Sequence, residues 1–200
     1  MASMAMARVG LAAATVNGKI YAIGGMGTAN SLLNNVEVYD ASSNSWTAEY
    51  NLPTARRYLA AATVDGKIYA IGGFDSNSSV MNTVEVRDPA CTSPCPIPWT
   101  AAASMPTARD GLAAATVNGK IYAIGGANST GYLNTVEVYD PSSDSWSTAA
   151  NMLTLRQFAA ASDANGLVYA MGGDDGVTGQ NSVRASAEGY TPAVTVLQVY

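Results

Sequence analysis

The chain has 200 residues and a mass of 20.5 kDa, with 48% hydrophobic and 12% charged side chains, a net charge of −5 and a pI near 4.5. An acidic chain with no basic run lacks the Lys/Arg surface that neutralises phosphates, which excludes nucleic acid as a partner, and no apolar run approaches the roughly 18 residues of a spanning helix. The sequence contains no histidine, which removes the usual general base, the Ser-His-Asp triad and the commonest metal ligand.

The N-terminal stretch, MASMAMARVG, has neither the charged start nor the apolar centre of a signal peptide. It follows the register of a later stretch instead: Ser3-Met4 matches Ser104-Met105, and Arg8 matches Arg109. The chain therefore begins at a repeat boundary, which reads as a fragment edge or a mature N-terminus.

Leu11–Gly25, LAAATVNGKIYAIGG, is the first of four copies. The others are Leu59–Gly73, Leu112–Gly126 and, worn down, Ala159–Gly173. Their Gly pairs end at Gly25, Gly73, Gly126 and Gly173, separations of 48, 53 and 47 residues. A period near 50 with four short strands per unit predicts an all-β propeller of four-stranded antiparallel blades. One domain over 1–200 results, with blades at about 6–52, 53–105, 106–152 and 153–200.

Within each blade four strands run from the axis outward. Strand A is LAAATV, whose alanines suit the tapering centre. Asn17-Gly18, Asp65-Gly66 and Asn118-Gly119 predict two-residue type I′ turns, because both positions need positive φ. Strand B is KIYAIGG, and its Gly pair permits strained backbone or close approach as the strand leaves the sheet. A B–C loop leads to strand C, VEVYD, with period-2 alternation. A short turn then reaches strand D at Trp46, Trp99 or Trp146.

Blade two carries extra residues in its C–D turn, with Cys91, Cys95 and four prolines between Pro89 and Pro98. Proline fixes φ and removes amide donors, so the insertion predicts a stiff protrusion. The CTSPC pair reads as a small disulfide stapling that loop, which implies an oxidising compartment; in a cytosolic chain both thiols are free. Metal is disfavoured, since zinc takes four Cys or His ligands. Blade four has a longer B–C loop at Asp174–Ala185 and a strand D around Leu197–Tyr200, with Leu197 where Trp146 would stand.

Repeat three in full runs from Met105 through PTAR, the YAIGG strand and VEVYDP to Trp146. These motifs, recurring in order over nearly all 200 residues, resemble the Kelch repeat. In repeat four, Ala187–Pro192 replaces VEVYDP, as befits a closing blade. The copper oxidase branch of Kelch-like proteins is similar to a Tyr/His cluster site, which this chain cannot build. Four blades fit a closed ring, part of a longer ring, or two chains joining, and an open ring would expose strand edges that associate.

Recurrent residues read as structural: the PTAR arginines Arg8, Arg56, Arg109 and Arg156 as makers of the same interblade hydrogen bonds, and Glu37, Glu85 and Glu137 likewise. Function is then sought where repeats differ. The resemblance implies that D–A and B–C loops crowd one mouth of the channel. The residues just before strand A are Val9-Gly10, Arg57-Tyr58, Asp110-Gly111 and Gln157-Phe158, and those after Gly-Gly are Met26, Phe74, Ala127 and Asp174. Arg57, Tyr58, Phe74, Asp75, Asp110, Phe158, Asp174 and Asp175 are thus the candidate binding residues. Aromatic rings with a few charges on loops of a rigid scaffold suit recognition. Adjacent Asp174 and Asp175 read as solvated, with a weak cation site as the lesser reading. The position holding ligand-reading arginines in some relatives is Gly10, Tyr58, Gly111 and Phe158 here, which speaks against an acidic-peptide ligand of that type. Asn77-Ser78-Ser79 and Asn128-Ser129-Thr130 match the glycosylation sequon on B–C loops.

The leading reading is a non-enzymatic scaffold, secreted or at the cell surface, binding a protein or glycan at the mouth, with no catalytic residue and no cofactor. One alternative is a carbohydrate-active enzyme of epimerase or lyase type. The other is a structural module that self-associates through its terminal blades to complete the propeller.

Overall fold

The computed structural model describes residues 1–91, 98–176, 185–191 and 194–199, the strand residues from 191 onward as backbone only. It is a four-blade β-propeller of four antiparallel sheets. Blade one comprises strand A (Ala12–Val16), B (Lys19–Ile23), C (Val36–Asp40) and D (Ser45–Glu49). Blade two is Ala60–Val64, Lys67–Ile71, Val84–Arg87 and Thr100–Ala102. Blade three is Ala113–Val117, Lys120–Ile124, Val136–Asp140 and Ser145–Thr148. Blade four is Ala160–Ala164, Leu167–Met171, Ala187–Thr191 and Val194–Val199. Its strand D starts three residues before the position read from the sequence. The stiff protrusion expected in blade two and most of the long loop of blade four lie outside the described residues, as does Cys95.

The turns follow from residue type. Asn17 and Gly18 have φ of 52° and 72°, and the same left-handed pair recurs at Asp65-Gly66, Asn118-Gly119 and, in the worn copy, Asn165-Gly166. The Gly pairs are needed for close approach: a Cβ on Gly24 would sit 2.7 Å from the Arg56 carbonyl oxygen.

Strand A alternates between the two faces of its blade, so Ala12, Ala14 and Val16 are buried while Ala13 and Thr15 are exposed. Three apolar cores lie between consecutive blades. The first joins Tyr21, Ile23, Val36, Val38 and Leu52 of blade one to Leu59, Ile68, Ala70 and Trp99 of blade two. The second and third repeat this between blades two and three and blades three and four. Burying one such isoleucine contributes roughly 1.5–3 kcal/mol.

The PTAR arginines rivet the seams with their main chains and brace their own blades with their side chains. Arg56 receives a hydrogen bond from the Gly25 amide at its carbonyl (2.8 Å) and donates its own amide to the Leu33 carbonyl, both in blade one. Its guanidinium stays within blade two, bonding the Gly72 and Thr83 carbonyls and Glu85 at 2.7 Å. Arg109 and Arg156 repeat the pattern with Glu137 and Glu188. The interblade bonds expected of these arginines are therefore made by the backbone, and the side chain serves its own blade. Burial pushes the Glu85 carboxyl up against the pull of Arg56. At Glu188 burial also raises it, yet hydrogen bonds from Thr154, Arg156 and the Leu153 amide outweigh burial and hold it below the usual carboxylate range.

The seam between blades four and one differs. All four strands A line one channel, but among the described residues no Gly173-to-Arg8 bond joins that seam and no apolar cluster spans it. Ile20 is 41% exposed where Ile68 and Ile121 are at 0%. Met171 is 41% exposed where Ile71 is at 0%. Composition changes on the same side of blade four: Ser162, Ala164 and Gly189 stand for Ala14, Val16 and Val38.

Candidate functional site

The D–A linkers and B–C loops meet at one end of the channel. In every blade the residue after the linker arginine pairs with the residue after Gly-Gly: Val9 with Met26, Arg57 with Phe74, Asp110 with Ala127, and Gln157 with Asp174. These four short pairings fix the loops to the blades, so the mouth is built on backbone hydrogen bonds. One residue further on, a second chain of three bonds links blade one through blade four along the opening. The Tyr58 amide donates to the Gly10 carbonyl (2.7 Å), Gly111 to Tyr58 (2.8 Å) and Phe158 to Gly111 (2.7 Å). All four residues have positive φ, between 55° and 66°.

Two of them are glycine because aromatic rings lie on them. A Cβ on Gly10 would be 2.7 Å from the Tyr58 ring, and one on Gly111 would be 2.9 Å from the Phe158 ring and 2.6 Å from Gln157. The two rings then meet across the opening, with centroids 5.1 Å apart and planes at 70°. Phe158 keeps 54% of its surface exposed. The mouth is thus roofed by an edge-to-face aromatic pair, an arrangement favoured by the ring quadrupoles.

Arg57 sits beside this roof. Its guanidinium carbon is 4.9 Å from the Tyr58 ring centroid and 5.2 Å from that of Phe74. One terminal nitrogen donates to the Met26 sulfur at 3.0 Å, and its buried Nε has no hydrogen-bond partner. Stacked planar cations of this kind are held in orientation without a carboxylate. A groove of about 480 Å³ opens next to it between blades one and two, lined by Met26, Asn30, Leu32, Arg57, Phe74, Asp75, Ser76 and Ser78.

The acidic candidates divide. Asp75 accepts the Asn77 and Ser79 amides, both at 2.9 Å, and so shapes the groove wall. Asp110 is half-buried and accepts a hydrogen bond from Gln157 at 3.0 Å. Burial pushes its carboxyl up, partly offset by that hydrogen bond, by its own backbone and by the charge of Arg57. Asp174 accepts the Gly176 amide at 2.9 Å. Asp175 is buried, at 3% exposure, so the solvated rim acid expected from the sequence is instead an interior group. Met26, Gln157 and the loop residues Asn30 and Leu32 complete the mouth and were not singled out from the sequence. The cue lay in the alternation of Gly10, Tyr58, Gly111 and Phe158, which is a packing pattern.

The family model described as the KLHDC2/KLHL20/DRC7 Kelch-repeats domain matches residues 10–185. The chain belongs to the Kelch-repeat family. Comparison with individual curated proteins finds no match. Kelch-repeat propellers generally serve as protein-interaction scaffolds. In this Kelch propeller the channel below the aromatic roof holds about 230 Å³ and is lined by Ala and Thr of the four strands A, with Ser162 and Asp163 from blade four. Among the described residues no group of three or more metal-ligating side chains is assembled, and no helix is long and apolar enough to cross a membrane.

Proposed function

We propose that this Kelch propeller is a non-enzymatic recognition scaffold that binds a protein or glycan partner at the mouth. The carrying observation is Arg57, stacked between Tyr58 and Phe74 and facing the groove between blades one and two. Partner-binding surfaces concentrate energy in aromatic and arginine anchors, and here three such residues are held in place before any partner arrives. The setting we propose is extracellular or at the cell surface, with Cys91 and Cys95 joined and both sequons on exposed B–C loops. The enzyme reading has less support, because the channel offers Ala, Thr, Ser162 and Asp163 rather than a carboxylate cluster beside a deep polar cavity.

The test is a screen of the purified chain against peptide and glycan arrays, followed by titration of the best hit. Phe74→Ala and Arg57→Ala weaken that hit at least tenfold while the melting temperature stays within a few degrees. Lys67→Ala, at the opposite end of blade two, leaves it unchanged. Equal loss from Lys67→Ala would sink the reading.

A second reading, self-association through the terminal blades, is favoured by the exposure of Ile20 and Met171 at the fourth seam. Light scattering across a concentration range decides it: a constant mass of 20.5 kDa removes it, and a mass at least twice that supports it.

A further inference from the structure

Strand A is an edge strand in every blade, and its free edge faces the axis. A hairpin closed by a two-residue turn starts its hydrogen-bonded pairs at the residues flanking the turn, and such pairs then alternate along the strands. In blade one the flanking pair is Val16 with Lys19, so Ala14 with Tyr21 and Ala12 with Ile23 follow as bonded pairs. The amides and carbonyls of Ala13 and Thr15 point the other way, into the channel. The same register holds in the other three blades. The channel wall is therefore polar along its main chain as well as lined by alanine methyls.

One layer of this wall carries polar side chains. Thr15, Thr63 and Thr116 hold the same repeat position, and in blade four that position is Asp163. All four line the channel of about 230 Å³. Among the described residues nothing pairs with the Asp163 carboxylate; the residue accepts one long hydrogen bond, from the Ser162 hydroxyl at 3.5 Å, at its main-chain oxygen. The Thr116 hydroxyl is buried and has no hydrogen-bond partner. Thr15 and Asp163 are exposed and stand two residues before the A–B turns at Asn17 and Asn165. The layer is thus entered from the end opposite the aromatic roof.

The geometry points to this layer as a binding site for a primary ammonium group that enters from the A–B turn end. One carboxylate balances one positive charge. The three N–H donors of an ammonium match a surround of one carboxylate, three hydroxyls and main-chain carbonyls. A divalent ion such as calcium takes six to eight oxygens, and among the described residues Asp163 is the one acid lining the channel. A bare monovalent ion is too small, because the cavity has room for several waters at roughly 30 Å³ each. An ammonium group on an aliphatic stem fills that volume, with alanine methyls as its wall. The group is carried either by a free alkylamine or by a lysine of a partner. The site lies apart from the mouth and does not depend on what binds there.

The test is NMR of the isotopically labelled chain, reading the signals of Thr63, Thr116 and Ala161. Propylammonium chloride is expected to shift them saturably and to leave Phe74 unmoved. Potassium chloride, and tetramethylammonium chloride with the same charge but no N–H, are expected to give no saturable shift. Asp163→Asn lowers the affinity for propylammonium at least about tenfold, through loss of a charged hydrogen bond. Asp65→Asn, which removes an acid from the A–B turn of blade two, leaves it unchanged. Thr116→Val, which keeps the shape and removes the hydroxyl, lowers it severalfold and serves as a second variant. Absence of saturable shifts with propylammonium overturns the proposal. So does an equal response to potassium or tetramethylammonium, and so does an undiminished response in Asp163→Asn and Thr116→Val. N-acetyl-lysine-methylamide separates the sources: binding as tight as that of propylammonium supports the site as one for a partner's lysine, and weaker binding supports it as one for a free amine.

Discussion

Tyr58 and Phe158 stand on blades two and four, yet their rings meet edge to face at 5.1 Å above the channel. Each also covers the backbone of a glycine in the preceding blade. The pair therefore couples opposite sides of the ring through side chains. Tyr58→Ala and Phe158→Ala together are expected to cost less than the sum of the single changes, with a coupling of about 0.5–1.5 kcal/mol. Urea denaturation of the wild type, both single variants and the double variant measures it. A coupling of zero would reduce the roof to two independent surface rings.

Gly111 and Gly166 both have positive φ, at 58° and 76°. Only Gly111 is crowded, with Gln157 2.6 Å from where a Cβ would stand; Gly166 has open space. Gly166→Ala is expected to cost about 1 kcal/mol, the strain of a left-handed alanine. Gly111→Ala is expected to cost about 1–3 kcal/mol more, since Gln157 and Phe158 must shift. Thermal melts of the two variants side by side check the difference.

Ile20 and Ile68 are the same residue at the same repeat position, exposed in one blade and buried in the next. Ile68→Ala is expected to lose about 2–5 kcal/mol, the cost of a core cavity. Ile20→Ala is expected to lose under about 1 kcal/mol, with most of that side chain's partners missing. Comparable losses for the two would show that Ile20 is covered in solution, and repeating the melts at several protein concentrations would reveal whether a second copy does the covering.

Asp110 is half-buried with a carboxyl raised by that burial. A carboxyl whose folded pKa exceeds its unfolded value favours folding below about pH 4, and that contribution is lost as pH rises through the folded value. Asp110→Asn keeps an oxygen for the Gln157 amide and removes the buried charge. It is expected to raise the melting temperature at pH 7 and leave it unchanged near pH 3. A lower melting temperature at pH 7 would mean that the attraction of Arg57 outweighs burial.

The sequence by itself determined the blades. Asn-Gly and Asp-Gly pairs demand left-handed turns, β-branched and aromatic runs ahead of a Gly pair favour strands, and a 47- to 53-residue period repeats the unit; all of this is local chemistry written four times. It also placed Arg57, Tyr58, Phe74 and Asp110 at one mouth, because loops at equal repeat positions share an end of the propeller. Tertiary structure decided what no repeat position encodes. Asp175 is an interior group although its place beside Asp174 in a Gly-rich stretch reads as solvated. That Tyr58 reaches Phe158 depends on two non-adjacent blades converging on one axis. Whether Ile20 is core or surface depends on the blade beside it, since identical isoleucines differ only in having a neighbour.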